Sequence, residues 1–233
     1  MLAILYDVHG NLPALEAVLD DARGAGATGF VLGGDEAAFG GWPVECVERI
    51  DGLAPVARIR GNWERWQVGA GEPPLDNEVV HGALAAVRDA LGDELVARLG
   101  ALPESAVVDG ALICHASPGS DMTPFLPDGS PDDDAPLLAG VAERRVVFGH
   151  THVQFSRVGG GGVELVNPGS VGMPWDGDGR AAYALLDGER VELRRVAYDA
   201  QRAAGALGAV GAPWAQVTAR RLREARFDVA APS

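Results

Sequence analysis

Short apolar runs that end abruptly in polar residues alternate, along the first third of the chain, with segments whose apolar positions recur at helical spacing. Residues 2 to 6, LAILY, predict a buried strand; DVHGN follows, and then Leu12, Leu15, Val18 and Leu19 share a helix face that Asn11 can cap, Pro13 can open and Gly24 or Gly26 can end. The unit repeats, with TGFVLGGD as strand and loop, WPVECVERIDG as a short helix and APVARIRGN as strand and loop again. Strands alternating with helices at this interval predict a largely parallel sheet with crossover helices. From about 79 to 101 the pattern is helical, with Leu84, Val87, Leu91, Leu95 and Leu99 on a common face.

Beyond residue 104 the period shortens and strands dominate. SAVVDGALICH predicts a hairpin turning at Asp109-Gly110, RVVFGH another buried strand, QFSRVGGGGVELVN a hairpin about its glycines, and AAYALLDGERVELRRV one about Asp187-Gly188. Residues 199 to 226 predict one or two amphipathic helices. The acidic stretch PDGSPDDDAP, 127 to 136, is expected to be a mobile, solvated loop. With no internal repeat or linker, the 233 residues predict one domain spanning 1–233.

Charge narrows the chemistry. A formal net charge of -14 argues against a nucleic-acid polymer as partner, because backbone binding needs clustered cations, and any phosphate-bearing ligand must meet a local positive source. All 19 basic residues are arginine, which removes Schiff-base lysine chemistry, a phosphate-loop lysine and a carboxylated-lysine metal bridge. Cys46 and Cys114 are far apart and form no Cys-x-x-Cys pair, so a reduced cytoplasm is the expected compartment. The start, MLAILYDVHGN, lacks a cationic leader, and no run approaches about 18 uninterrupted apolar residues, so neither export nor a membrane partner is expected.

Five of the predicted strands end in residues able to bind metal: LAILY in Asp7 and His9, FVLGG in Asp35, VARIRG in Asn62, ALIC in His115, VVFG in His150 and His152. Of the five histidines only His81, at the start of a helical stretch, stands apart and is read as structural. Ligands of open α/β sheets gather outside the carboxyl ends of strands, so these side chains can converge. In extended chain, residues i and i+2 project to one side, which pairs Asp7 with His9 and His150 with His152 and turns Cys114 away from His115. Two carboxylates, an amide oxygen and four imidazoles without thiolate suit manganese, iron, cobalt, nickel or zinc. They are too many for one tetrahedral ion and suit two, the arrangement that clamps an in-line displacement at phosphorus with ions about 3.5 to 4 Å apart. Such a pair would leave the pocket near about +1, which lets an acidic protein hold phosphate.

DVH at 7 to 9, GGD ending at Asp35, GNW at 61 to 63, CHASP at 114 to 118 and GHTH at 149 to 152 together resemble the motifs of the calcineurin-like metallophosphoesterase family. NPGSVGMPWDGDGRAAYALLD, 167 to 187, is similar to the segment that follows the last motif in small bacterial members. The resemblance implies a four-layer α/β/β/α sandwich of two mixed sheets flanked by helices. It implies Asp7, His9, Asp35 and His152 at a first metal and Asp35 as the bridge with Asn62, His115 and His150 at a second, with Asp35, Asn62 and His115 counted as catalytic too. Two divalent ions, manganese first, would be the cofactors, and a small phosphorylated molecule the substrate.

One residue departs from the family pattern. Trp63 stands where many members carry His after Gly-Asn, and indole cannot protonate a leaving alkoxide. Esters with good leaving groups, notably diesters, are therefore expected over alkyl monoesters. A phosphomonoesterase or protein phosphatase, a dinucleotide polyphosphate hydrolase and a non-enzymatic interaction scaffold are the alternatives. Arg60 and Arg65 flank the Asn62 turn as phosphoryl contacts or surface ion pairs; Ser170 either hydrogen-bonds near the metals or fixes its turn; Trp63 and Trp175 either stack on a base or simply pack. Rivals fail on sequence: there is no lysine for an amidohydrolase barrel, no Asp-His after the His-x-His pair for a metallo-β-lactamase site, and neither Gly-x-Ser-x-Gly nor Gly-Lys-Ser/Thr.

Overall fold

A computed structural model describes residues 1–73 and 78–228. Its first half runs β1 (Leu2–Leu5), α1 (Leu12–Gly24), β2 (Gly29–Leu32), α2 (Pro43–Asp51), β3 (Ala57–Arg58), α3 (Asn62–Gln67) and α4 (Glu78–Gly100). The second runs β4 (Ser105–Val108), β5 (Ala111–Cys114), α5 (Pro131–Asp134), β6 (Arg145–Val147), β7 (Phe155–Val158), β8 (Glu164–Asn167), β9 (Ala181–Asp187), β10 (Arg190–Val196), α6 (Ala200–Val210) and α7 (Pro213–Glu224).

Two mixed five-stranded sheets result, in the orders β10-β9-β1-β2-β3 and β4-β5-β6-β8-β7. β1, β2 and β3 are parallel in one, β5, β6 and β8 in the other, and hairpin strands complete the edges. Alternation along β1 explains the layering: Ile4 and Tyr6 face Ile113, Val147 and Val166 of the second sheet, whereas Ala3 and Leu5 face Leu15, Val18 and Leu19 of α1. The Tyr6 hydroxyl, fully buried, donates toward Cys114 O (3.0 Å) and Val147 O (2.8 Å), tying the carboxyl ends of three strands from both sheets together.

Several expectations are refined. Asn11 caps α1 by accepting from Ala14 N (3.2 Å), and the 105–114 hairpin turns at Asp109-Gly110 with both φ positive (49° and 74°). The 79–101 segment is two helices meeting at Gly92, whose φ of 70° and ψ of 164° interrupt the ladder. The acidic stretch 127–136 is not the loose loop its composition suggests. Ser130 caps α5 there, and Asp134, 1% exposed, accepts from Arg157 at 2.5 and 2.7 Å. No helix among the described residues is long and apolar enough to cross a membrane.

Candidate metal centre

Parallel strands in both sheets point their carboxyl ends at one edge of the sandwich, and the loops leaving β1, β2, β3, β5 and β6 carry the polar residues there. The Asp7, His9, Asp35, His150 and His152 backbones have φ of 54°, 50°, 55°, 65° and 58°. Left-handed geometry in a non-glycine residue costs roughly 1 kcal/mol or more and concentrates at functional sites. Asp7 with His9, and His150 with His152, therefore reach a common cluster through paired left-handed residues beyond the strand ends, in place of the extended alternation expected. His9 N donates to Asp35 O (2.9 Å) and Asp7 N to Gly34 O (3.2 Å), so the first two loops run side by side.

Glycine permits the close approach. A Cβ on Gly61 would lie 2.1 Å from Asp35 Oδ1 and 2.7 Å from His115 Cε1; one on Gly149 would lie 2.7 Å from Asp7 Oδ2. Either side chain would occupy the space the carboxylates fill.

The predicted donors form one contiguous cluster. Asp7, His9 and His152 place ligand atoms within 4.8 Å of one another, as do Asp7, Asp35 and His115. Asn62 Oδ1 is 3.0 Å from both His115 Nε2 and His150 Nδ1, which joins those two residues to the second group. Asp7 belongs to both groups, and Asp35, the bridge that the resemblance implies, lies in the second beside it. Asp7 Oδ1 has no hydrogen-bond partner although it is fully buried, and it lies 3.9, 3.9 and 3.7 Å from the Nε2 atoms of His9, His115 and His152. These separations are too long for hydrogen bonds, while His9 Nε2 and His152 Nε2 face each other at 2.9 Å. His115 Nδ1 and His152 Nδ1 are spent on Gly33 O (2.8 Å) and Met173 O (2.6 Å), which turns each Nε2 edge inward, the orientation a metal-binding imidazole requires. Residue types and geometry thus fit divalent cations.

Protonation follows from burial and neighbours. Burial, with the Asp35 charge, pushes Asp7 up to about 8. Burial would raise Asp35 too, but the nearby His115 and the Trp63 N–H, 3.0 Å from its Oδ1, hold it below the ordinary carboxylate value. Burial works against charge on His115 as well, yet Asp35 and Asp7 carry it up to about 10. His9 and His150, desolvated and near that cation, fall to about 4, and His152 falls well below its ordinary value.

The proposed substrate residues fare differently. Trp63 is 3% exposed, packed edge-on against Phe39 (4.4 Å) and Trp66 (5.9 Å), and presents no free face to a base. Trp175 lies half-buried, stacked on His152 at 3.7 Å and tilted against Phe227 at 4.7 Å, so it braces the His152 imidazole. Fully buried Ser170 donates to Asp7 O (2.8 Å) and accepts from Met173 N (2.7 Å), fixing the turn behind the site. Arg60 and Arg65 pair with Glu104 and Asp121, and both line a cavity that reaches His115. His81 is exposed on α4, away from the cluster.

Glu64 was missed. It is 1% exposed and accepts from Asp35 N (3.0 Å), Glu36 N (2.9 Å) and Gly61 N (2.7 Å), clamping the loops after β2 and β3 together. At the third residue of α3 it reaches back to the amide before the helix, half of a capping box, the cap residue Gly61 having no side chain to return the bond.

The model of the calcineurin-like phosphoesterase superfamily domain matches residues 1–190. A metallophosphoesterase from Sphaerobacter thermophilus is 28% identical with a TM-score of 0.80, over 96% of this chain and 99% of that one. A hypothetical protein from Pyrococcus horikoshii shares the fold at 22% identity and a TM-score of 0.83, over 95% and 98% of the two chains. An uncharacterized protein of Methanocaldococcus jannaschii is 30% identical over 228 residues, 87% of this chain and 90% of the relative.

Proposed function

The chain belongs to the calcineurin-like phosphoesterase superfamily, and from that premise we propose that it hydrolyses small phosphodiesters with good leaving groups, using two divalent cations. Asp7, His9 and His152 would hold one; Asn62, Asp35, His115 and His150 the other, with Asp7 and Asp35 at the seam. The observation that carries this reading is the buried, unpartnered Asp7 Oδ1 ringed by three imidazole nitrogens. Such an arrangement is costly unless a cation completes it.

When bound, divalent cations supply Lewis acidity toward a phosphoryl oxygen and make water a nucleophile at neutral pH. The protein's own residues do the rest. Backbone acceptors on Gly33 and Met173 fix the His115 and His152 rings, the Trp63 amide orients Asp35, and the aromatic wall of Phe39, Trp63 and Trp66 keeps bulk water from the His9 side. His115 has both ring nitrogens engaged, so it is poorly placed to protonate a leaving group. This favours diesters whose leaving group departs as a stable anion.

The test is turnover of bis(4-nitrophenyl) phosphate by protein stripped of metal and reloaded with manganese, nickel or cobalt. Activity that vanishes on chelation and returns with metal is expected. No turnover with any of the three would favour an interaction scaffold on the same fold.

A further inference from the structure

The match to the superfamily domain ends at residue 190, yet part of what packs behind His152 comes from beyond it. α7 ends at Glu224, and Ala225, with a left-handed φ of 49°, turns the chain back on itself. Ala225 O then accepts from Gly177 N at 3.0 Å, which lays residues 225–228 along the loop that carries Trp175. Phe227 lands on the Trp175 ring, with 4.7 Å between centroids. Arg221, 7% exposed in the last turn of α7, holds Phe227 twice. Its Nε donates to Phe227 O (3.0 Å), and its guanidinium lies 4.1 Å over the phenyl ring.

Contacts therefore run in order from Arg221 through Phe227 and Trp175 to His152. Behind His152 stands one hydrogen bond, between Nδ1 and Met173 O (2.6 Å). A single bond fixes one point of the ring and not its plane; the Trp175 face, stacked at 3.7 Å and 20°, fixes the plane. Trp175 Nε1 is buried without a partner, so ring contacts and not a hydrogen bond set where that face lies. His115 and His150 are held differently, by Gly33 O and the Asn62 side chain, contacts made within the domain itself.

Resting on the two-cation reading, we infer that Phe227 is a positioning residue for the cation that Asp7, His9 and His152 would hold. Residues 221–227 act as a strap that sets the His152 plane through Trp175, and so tune the occupancy of that site and not of its neighbour. Fewer side chains would hold this cation than the one beside Asn62, so a misaligned imidazole takes a larger share of its binding.

Calorimetric titration of the metal-free protein with manganese tests this. Wild type should take up two equivalents, and His152→Ala marks the step that belongs to the His9 and His152 site. Phe227→Ala should weaken that step about fivefold and leave the other unchanged, and Trp175→Ala should weaken the same step about tenfold or more. Phe227→Tyr, which keeps the ring, should restore wild-type binding. In a His152→Ala background the Phe227→Ala change should have no further effect. Phe227 is 43% exposed, so the metal-free melting temperature of Phe227→Ala should stay close to that of wild type. Unchanged manganese binding in Phe227→Ala, or both steps weakened alike, would overturn this inference alone. A wild-type protein that takes up fewer than two equivalents would overturn the two-cation reading and this inference with it.

Discussion

Asp7→Asn is expected to abolish turnover and, at the same time, to raise the melting temperature of the metal-free protein. The two effects share one cause. Asp7 belongs to both candidate ligand groups, so loss of its charge removes several kcal/mol of transition-state charge stabilisation, a fall of roughly 10³-fold or more in kcat. Without metal the same carboxylate is a buried acid lacking a hydrogen bond on one oxygen, raised from 3.8 to about 8. The folded protein therefore binds more protons than the unfolded chain between those values, and stability falls as pH rises through that window. An amide escapes that penalty, and a gain on the order of 2 kcal/mol at pH 8, about 5 °C for a chain of this size, is expected by calorimetry. A linked pH dependence checks the sign. Glu64, raised from 4.5 to about 7, and His115, raised from 6.5 to about 10, also lose their favourable protons as pH climbs, whereas His9 and His150, lowered to about 4, penalise only acid. Metal-free wild type should melt lower at pH 8 than at 6.5, and Asp7→Asn should flatten the slope. A variant that binds metal normally, or melts lower than wild type at pH 8, would contradict the reading.

Glu64→Ala should cost the most stability of any single change at the site. It strands the amides of Asp35, Glu36 and Gly61, all of which now donate to one buried carboxylate. Buried donors left without acceptors cost about 1–3 kcal/mol each, and partial relaxation brings the total to about 3–5 kcal/mol, a drop of roughly 10 °C or more. Because the stranded amides flank Asp35 and Asn62, manganese affinity measured by equilibrium dialysis should fall about 10- to 100-fold. Glu64→Gln, which keeps acceptor oxygen on one side, should fall between wild type and alanine in both. Unchanged melting and unchanged metal affinity would show that the clamp is incidental.

The strand-end pattern made the convergence of Asp7, His9, Asp35, Asn62, His115, His150 and His152 legible in the sequence, because parallel strands must deliver their following loops to one edge. What sequence could not supply was the backbone state of those loops. Asp7, His9, Asp35, His150 and His152 adopt left-handed φ, which propensities disfavour outside glycine and which the surrounding hydrogen bonds enforce. Trp63 followed the same logic in reverse: adjacency to Asn62 suggested substrate contact, but Phe39, itself left-handed at φ 56°, swings over the indole and closes it in. The acidic stretch around Asp134 became ordered through one long-range partner, Arg157, that local composition does not reveal. Asn11, by contrast, carries its cap in local spacing, as does the Glu64 bond to Gly61 N, whereas the Glu64 bonds to Asp35 N and Glu36 N join distant loops.

The central claim is that these dispersed donors surround a pair of cations. Diffraction from crystals grown with manganese, collected near its absorption edge, measures this directly. Two anomalous peaks are predicted, both in the space bounded by Asp7, Asp35 and His115, one completed by His9 and His152 and the other by Asn62 and His150. Peaks elsewhere, or density for water alone within that ring of side chains, would contradict the account.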